Sequence, residues 1–184
     1  MKTSPNLIWI DMETTGLNIN KDKILEMAVI VTDSNLNIID ESMDVVIHQS
    51  KIVLNRMGKW CRVQHGNSGL TEKVLRSNIS LSEARKRLKD IIKIYCQRKS
   101  GILCGSSVHF DRMFIKKYFP LIDKYLSYRM IDVTSIKELA KRWYPNKVTN
   151  LLDSKDSTKS HRALDDIKWS IKELKFYRET IFKK

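Results

Sequence analysis

The chain has 184 residues, 42% of them hydrophobic, and a formal net charge of +13. That length fits one domain with a sizeable core, and no apolar run approaches the ~20 residues that a membrane-spanning helix needs. The charge is uneven: residues 1–50 hold three lysines, no arginine and eight acids, net −5, which leaves +18 on the remaining 134.

A basic body favours a polyanionic partner, nucleic acid first. The acidic first segment fits a metal site better than a phosphate-binding surface. Met1-Lys2-Thr3-Ser4-Pro5 has neither the apolar stretch of a signal peptide nor an Arg-rich amphipathic pattern, so a cytoplasmic protein is expected, with no membrane association. Residues 7–11 read as a short buried strand, and Gly16 with the polar stretch 18–23 marks a turn. Ile24–Thr32 and residues 38–47 read as two more strands joined through Asp33-Ser34-Asn35, an antiparallel meander. Beyond Ser50 the pattern turns helical. Ser80-Leu81-Ser82-Glu83 is a capping-box signature ahead of a helix running to about Cys96. Its Leu81, Ala84, Leu88, Ile91, Ile92 and Tyr95 recur at helical spacing.

Residues 102–104 read as a strand, and His109–Tyr118 as a helix stopped by Pro120. A strand over 129–133 and a helix over 134–143, ending before Pro145, follow. The polar segment 146–159 reads as a loop. A last helix starts near 161–163 and runs to about 181, with Ile167, Ile171, Leu174 and Tyr177 on its buried stripe. The pattern predicts an α/β fold, a single domain over 1–184 with a mixed central β-sheet flanked by α-helices. Cys61, Cys96 and Cys104 are odd in number and widely spaced, so they are expected to be reduced and mostly buried.

The chemistry is concentrated in acids at element ends. Asp11 and Glu13 are two apart at the end of a core strand, so they project from one face. Paired carboxylates repel each other, and a divalent metal removes the repulsion. Asp111 lies near a helix start after a strand, and Asp166 lies at the start of the last helix, five positions after His161. Strand ends and helix starts are where open α/β sheets build sites. Each acid alone has an ordinary explanation, a favourable place near a helix dipole or a solvated strand end. On a regular helix His161 shares a face better with Asp165 than with Asp166, so spacing leaves both open.

The segments WIDMETTGL (9–17), HFDRMFI (109–115) and HRALDDI (161–167) resemble the three motifs of the DEDDh superfamily of 3′→5′ exonucleases. WCRVQHGNSGL (60–70), SYRMIDVTSIKELAKRWYP (127–145) and HRALDDIKWSIKELKFYRE (161–179) are similar to its oligoribonuclease family. The resemblance runs from about residue 6 to 182. It implies a ribonuclease H-like exonuclease fold. It also implies hydrolysis of very short single-stranded RNA, dinucleotides above all, from the 3′ end to nucleoside 5′-monophosphates. Two divalent ions per site, Mg²⁺ or Mn²⁺, are implied: Asp11 bridging, Glu13 and Asp166 on one, Asp111 on the other. His161 is implied as general base, and Asp166 is selected over Asp165. Carboxylates are suitable hard ligands for such ions, and an imidazole titrates near neutrality.

The same resemblance implies the substrate contacts. Leu17 matches a wedge between bases. Trp60 and His65 match residues at the base and 5′-phosphate ends of the pocket, and Ser107 matches a contact to that phosphate. Tyr128 and Arg129 match residues that reach into the neighbouring subunit's site in a homodimer. Two positions depart from the pattern: Phe110 stands where relatives commonly carry Gln, and His109 replaces a small residue.

Overall fold

The computed structural model describes residues 6–153 and 162–182. Strands β1 (Leu7–Thr14), β2 (Ile24–Thr32) and β3 (Ile38–Val46) form the expected antiparallel meander. Helices α1 (Lys51–Leu54), α2 (Lys59–Asn67), α3 (Leu70–Arg76) and α4 (Leu81–Tyr95) follow. Then come β4 (Gly101–Gly105), α5 (His109–Tyr118), α6 (Pro120–Asp123), β5 (Leu126–Asp132), α7 (Val133–Trp143), α8 (Pro145–Asp153) and α9 (Ala163–Thr180). The sheet order is β3-β2-β1-β4-β5, with β1 parallel to β4 and β4 parallel to β5. This single-domain α/β fold has a mixed five-stranded sheet, flanked by helices, with β1 at its centre.

Alternation along β1 decides which helix meets which acid. Ile8 and Ile10 join the core under α4, α5 and α6. Leu7 and Trp9 join the opposite core, with Ile167, Ile171 and Tyr177 of α9. Side chains two apart share a face, so Asp11 and Glu13 continue the α9 side. Trp9 is fully buried, and its indole N–H donates to Thr32 Oγ1 at 3.0 Å, which satisfies the one polar atom that a buried Trp brings.

Three boundaries differ from expectation. β1 runs three residues past Asp11, because Met12 still packs on the core and pairing with β2 continues through Glu13. β5 starts at Leu126, which is buried beneath α4 and α5, three residues before the expected strand. The expected loop after Pro145 instead opens with α8. Pro145 is its first residue, where a missing N–H costs nothing, and Val148 is buried in the α9-side core. Pro120 likewise starts α6 as well as ending α5. At α4, Ser80 Oγ accepts from the Glu83 amide at 3.1 Å, but Glu83 pairs with Arg87, so only half of the capping box forms. The cysteines are free, with Cys96 and Cys104 buried and Cys61 partly so.

Candidate active site

Asp11, Glu13 and Asp166 offer carboxylate oxygens that all lie within 4.8 Å of one another. β1 supplies the first two, and the first turn of α9 supplies the third. Asp165, one residue earlier, is exposed and outside this group. The helical count from His161 does not apply, because α9 begins only at Ala163. His161 itself lies outside the described residues.

Asp111 enters from α5 and is 8% exposed. Burial pushes its carboxyl well above the usual range, and the Asp11 charge adds to that, while the backbone amides of Asp111 and Met12 oppose it by hydrogen bonding. Asp11 is pushed up to about 7 by burial first, then by Asp166 and Glu26. Glu13 is pushed up to about 8 by burial, then by Asp11, Asp166 and Glu26, with Arg162 opposing. Such crowding of desolvated acids marks a site designed to receive positive charge. The donor set fits a hard divalent cation: oxygen ligands only, close together, on rigid elements.

The neighbouring residues set the frame. His65 is 1% exposed; its Nε2 lies 2.9 Å from the Thr14 carbonyl and its Nδ1 3.9 Å from Glu13 Oε2. It stands behind Glu13 and steadies the end of β1. Leu17 and Trp60 are 65% and 64% exposed, so neither is ordinary core. The turn carrying Leu17 is tied down by Asp22, which accepts from Thr15 Oγ1 at 2.9 Å and from the Asn18 amide at 2.8 Å. A Cβ on Gly16 would sit 2.6 Å from Asp22 Oδ2, so this close approach requires glycine.

Ser107 has φ +54°, an uncommon backbone for a non-glycine residue. Its amide donates to Asp132 Oδ1 at 2.9 Å, and its hydroxyl lies 3.2 Å from Thr134 Oγ1. Asp132 also caps α7 through the Thr134 amide. His109 Nδ1 lies 3.9 Å from the other Asp132 oxygen, and the His109 ring rests 4.1 Å from that of Phe110. Tyr128 is 79% exposed on β5, with the Arg129 guanidinium 4.8 Å over its ring. Arg112, next to Asp111, holds β5 by donating to the Ser127 carbonyl at 2.8 Å and pairing with Asp123 at 2.6 Å.

Sequence reasoning missed Glu26. It is fully buried on β2, directly opposite Glu13, and it binds Arg162 and the start of α9. Its one signal was a lone acid inside an otherwise apolar strand.

Comparison with known proteins gives a consistent picture. The family profile RNase_T, described as Exonuclease, matches residues 8–174. The chain is 47% identical over 180 residues to a probable oligoribonuclease of Dictyostelium discoideum, covering 98% of this chain and 92% of that protein. It is 46% identical over 178 residues to the mitochondrial oligoribonuclease of Homo sapiens, covering 97% and 74%. An oligoribonuclease of Francisella tularensis is 44% identical over 181 residues, covering 98% of both chains. Among solved structures, Escherichia coli exonuclease I in complex with a dA16 oligonucleotide superposes with a TM-score of 0.74 at 16% identity. That match covers 97% of this chain and 41% of the larger one, and at this identity it speaks for the fold alone. No described helix is long and apolar enough to cross a membrane.

Proposed function

This chain belongs to the oligoribonuclease family of RNase_T exonucleases, metal-dependent 3′→5′ exoribonucleases, and from that premise we propose that it hydrolyses very short RNA, dinucleotides above all, to nucleoside 5′-monophosphates. The observation that carries the reading is the convergence of Asp11, Glu13 and Asp166 at the end of the central strand. Mg²⁺ or Mn²⁺ bound there, as a pair, supplies stabilisation of the charge that develops on the attacking and leaving oxygens.

The chain's own residues do the rest. Asp11 would serve both ions, Glu13 and Asp166 one of them, and Asp111 the other. All four reach this role from fixed elements, so little reorganisation accompanies the reaction. His161 takes the proton from the attacking water at an imidazole nitrogen. Leu17 separates the two bases, and Trp60 gives a stacking surface, worth roughly 1–3 kcal/mol per base. Both are exposed, as a surface that meets substrate must be. His65 acts through Glu13 and the end of β1.

Tyr128 and Arg129 act on a neighbour in a homodimer. In register, Gly101 faces Leu126 and Leu103 faces Met130, while Leu7 faces Ile102. Tyr128 is therefore level with residues 7–8, two strands from β1. At about 3.3 Å per residue and about 4.8 Å per strand, its backbone is roughly 14–16 Å from that of Asp11. That separation favours action on the partner's site over its own. Arg129 and Ser107 then grip the 5′-terminal phosphate, and a closed phosphate end excludes longer chains.

A timed digestion of 5′-labelled RNAs of two to about ten nucleotides tests activity, polarity and length preference together. Mononucleotide release from the shortest substrates, abolished by EDTA and restored by Mg²⁺ or Mn²⁺, is expected. Rapid trimming of long single-stranded DNA, or activity in excess chelator, would refute the reading.

A further inference from the structure

α9 begins without a side-chain cap of its own: its N-cap residue, Arg162, makes no such bond. First-turn amides of a helix need acceptors from somewhere. Here one comes from β2. Glu26 Oε2 accepts from the Ala163 amide at 3.2 Å. The same carboxylate takes Arg162 Nε, at 2.8 Å from Oε1 and 3.0 Å from Oε2, and Arg162 Nη2 also donates to Oε1. A fully buried acid needs both an ion partner and hydrogen bonds to be tolerated, and Glu26 has both.

The placement of this pair is more telling than its existence. Glu26 lies directly opposite Glu13 in the antiparallel register, so both leave the same face of the sheet. Like charges in that relation destabilise a sheet, and sheet stability alone gives no reason for the second acid. The Asp166 amide donates to the Arg162 carbonyl at 3.0 Å, in the first turn of α9. From Glu26 to the backbone of Asp166 the path is one ion pair and one hydrogen bond.

We propose that the Glu26–Arg162 pair is a positioning device for the carboxylate site. It fixes the first turn of α9 so that Asp166 meets Asp11 and Glu13 at ligand distance. Glu26 is a positioning residue and binds no ion itself. This rests on the metal-holding role proposed for that cluster.

The test uses the full chain and Mn²⁺ alone, with binding read by electron paramagnetic resonance and helix order by amide hydrogen exchange at Ala163 and Asp166. In E26M/R162M both charges leave together, a replacement that commonly keeps a fold stable. The expected result is a cooperative thermal transition near that of the wild type, faster exchange at both amides, and Mn²⁺ affinity weakened about 10–100-fold, as for other supports of metal ligands. R162K serves if the double variant does not fold: it keeps the charge beside Glu26 but loses the fork, and a smaller, several-fold weakening is expected. Wild-type Mn²⁺ affinity in the folded double variant, or in R162K where that one serves, overturns the positioning role alone. A wild-type protein that binds no Mn²⁺ overturns this role and the metal site together.

Discussion

The carboxylate corner and the β5 edge are built from opposite materials. At the corner, Asp11, Glu13 and Asp111 are desolvated and crowd one another, with Asp11 and Glu13 pushed up to about 7 and 8. At the β5 edge, Tyr128 is 79% exposed and stacks with Arg129, beside an open cleft of about 760 Å³ that Arg98, Lys99 and Lys124 also line. The corner stores unfavourable charge that a cation relieves; the edge offers cations and an aromatic face to an anionic, base-bearing ligand. On the proposed function, catalysis would fall to the buried positions and substrate selection to the exposed ones. Variants at the two places should separate turnover from affinity.

The largest effect should come from the corner. Asp166→Asn should lower kcat by about 10³-fold, the upper range for one missing electrostatic stabiliser, with little change in KM. Asp165→Asn should leave activity near wild type, because Asp165 is exposed and outside the carboxylate group. Steady-state kinetics on a dinucleotide check both, and an essential Asp165 with a dispensable Asp166 would reverse the assignment. His161→Ala should cost about 10²–10⁴ in turnover, within the range for general-base catalysis. An equal loss of substrate affinity would count against that role.

The corner also predicts a pH dependence with a definite sign. In the metal-free protein, Asp11 and Glu13 have folded pKa values raised above the unfolded ones. Their contribution to stability is therefore fully present near pH 4 and is lost as pH rises through about 7–8. Thermal unfolding in EDTA should show a falling Tm over that window, and Mg²⁺ should raise Tm most at its alkaline end. Mn²⁺ affinity should move oppositely, weakening by up to about a hundredfold per pH unit below 7 as two protons compete for the ligands. A flat Tm in EDTA from pH 5 to 8 would mean that the corner is not charge-strained.

Sequence alone carried far in the centre of the sheet and less far at its joints. The meander and the α4 and α9 stripes follow from local periodicity, so 24–32 and the Ile167-Ile171-Tyr177 stripe were legible. Asp166 was not legible by spacing, because the count from His161 assumed a helix that starts two residues later. Pro145 reads equally as a stop or a first helical residue, and α8 was missed for that reason. Burial of His65 and pairing of Glu26 with Arg162 depend on contacts across 51 and 136 residues, which no local pattern records. Recognition of the family supplied roles, but not this scaffolding around them.

At the edge the effects should be smaller and should fall on KM. Tyr128→Ala removes one stacking surface, and a loss of about 1.4 kcal/mol corresponds to about tenfold in affinity. KM for dinucleotides should rise by that factor with kcat nearly kept, provided that the protein is dimeric. Sedimentation of a fully active monomer would sink the shared-site idea.

The smallest effect should come from the turn that joins the two descriptions. Gly16→Ala places a Cβ 2.6 Å from Asp22 Oδ2, a carboxylate already held by the Thr15 hydroxyl on one side of the turn and the Asn18 amide on the other. Something must shift, and the free direction is outward, toward Leu17. Asp11 and Glu13 lie on β1, held in register by β2 through Glu13, so they should not follow. The expected outcome is a few-fold rise in KM, a broader length preference on labelled RNAs and an unchanged Mn²⁺ affinity. Loss of Mn²⁺ binding in Gly16→Ala would show that the wedge turn and the metal corner move as one body, and the division between them would then be wrong.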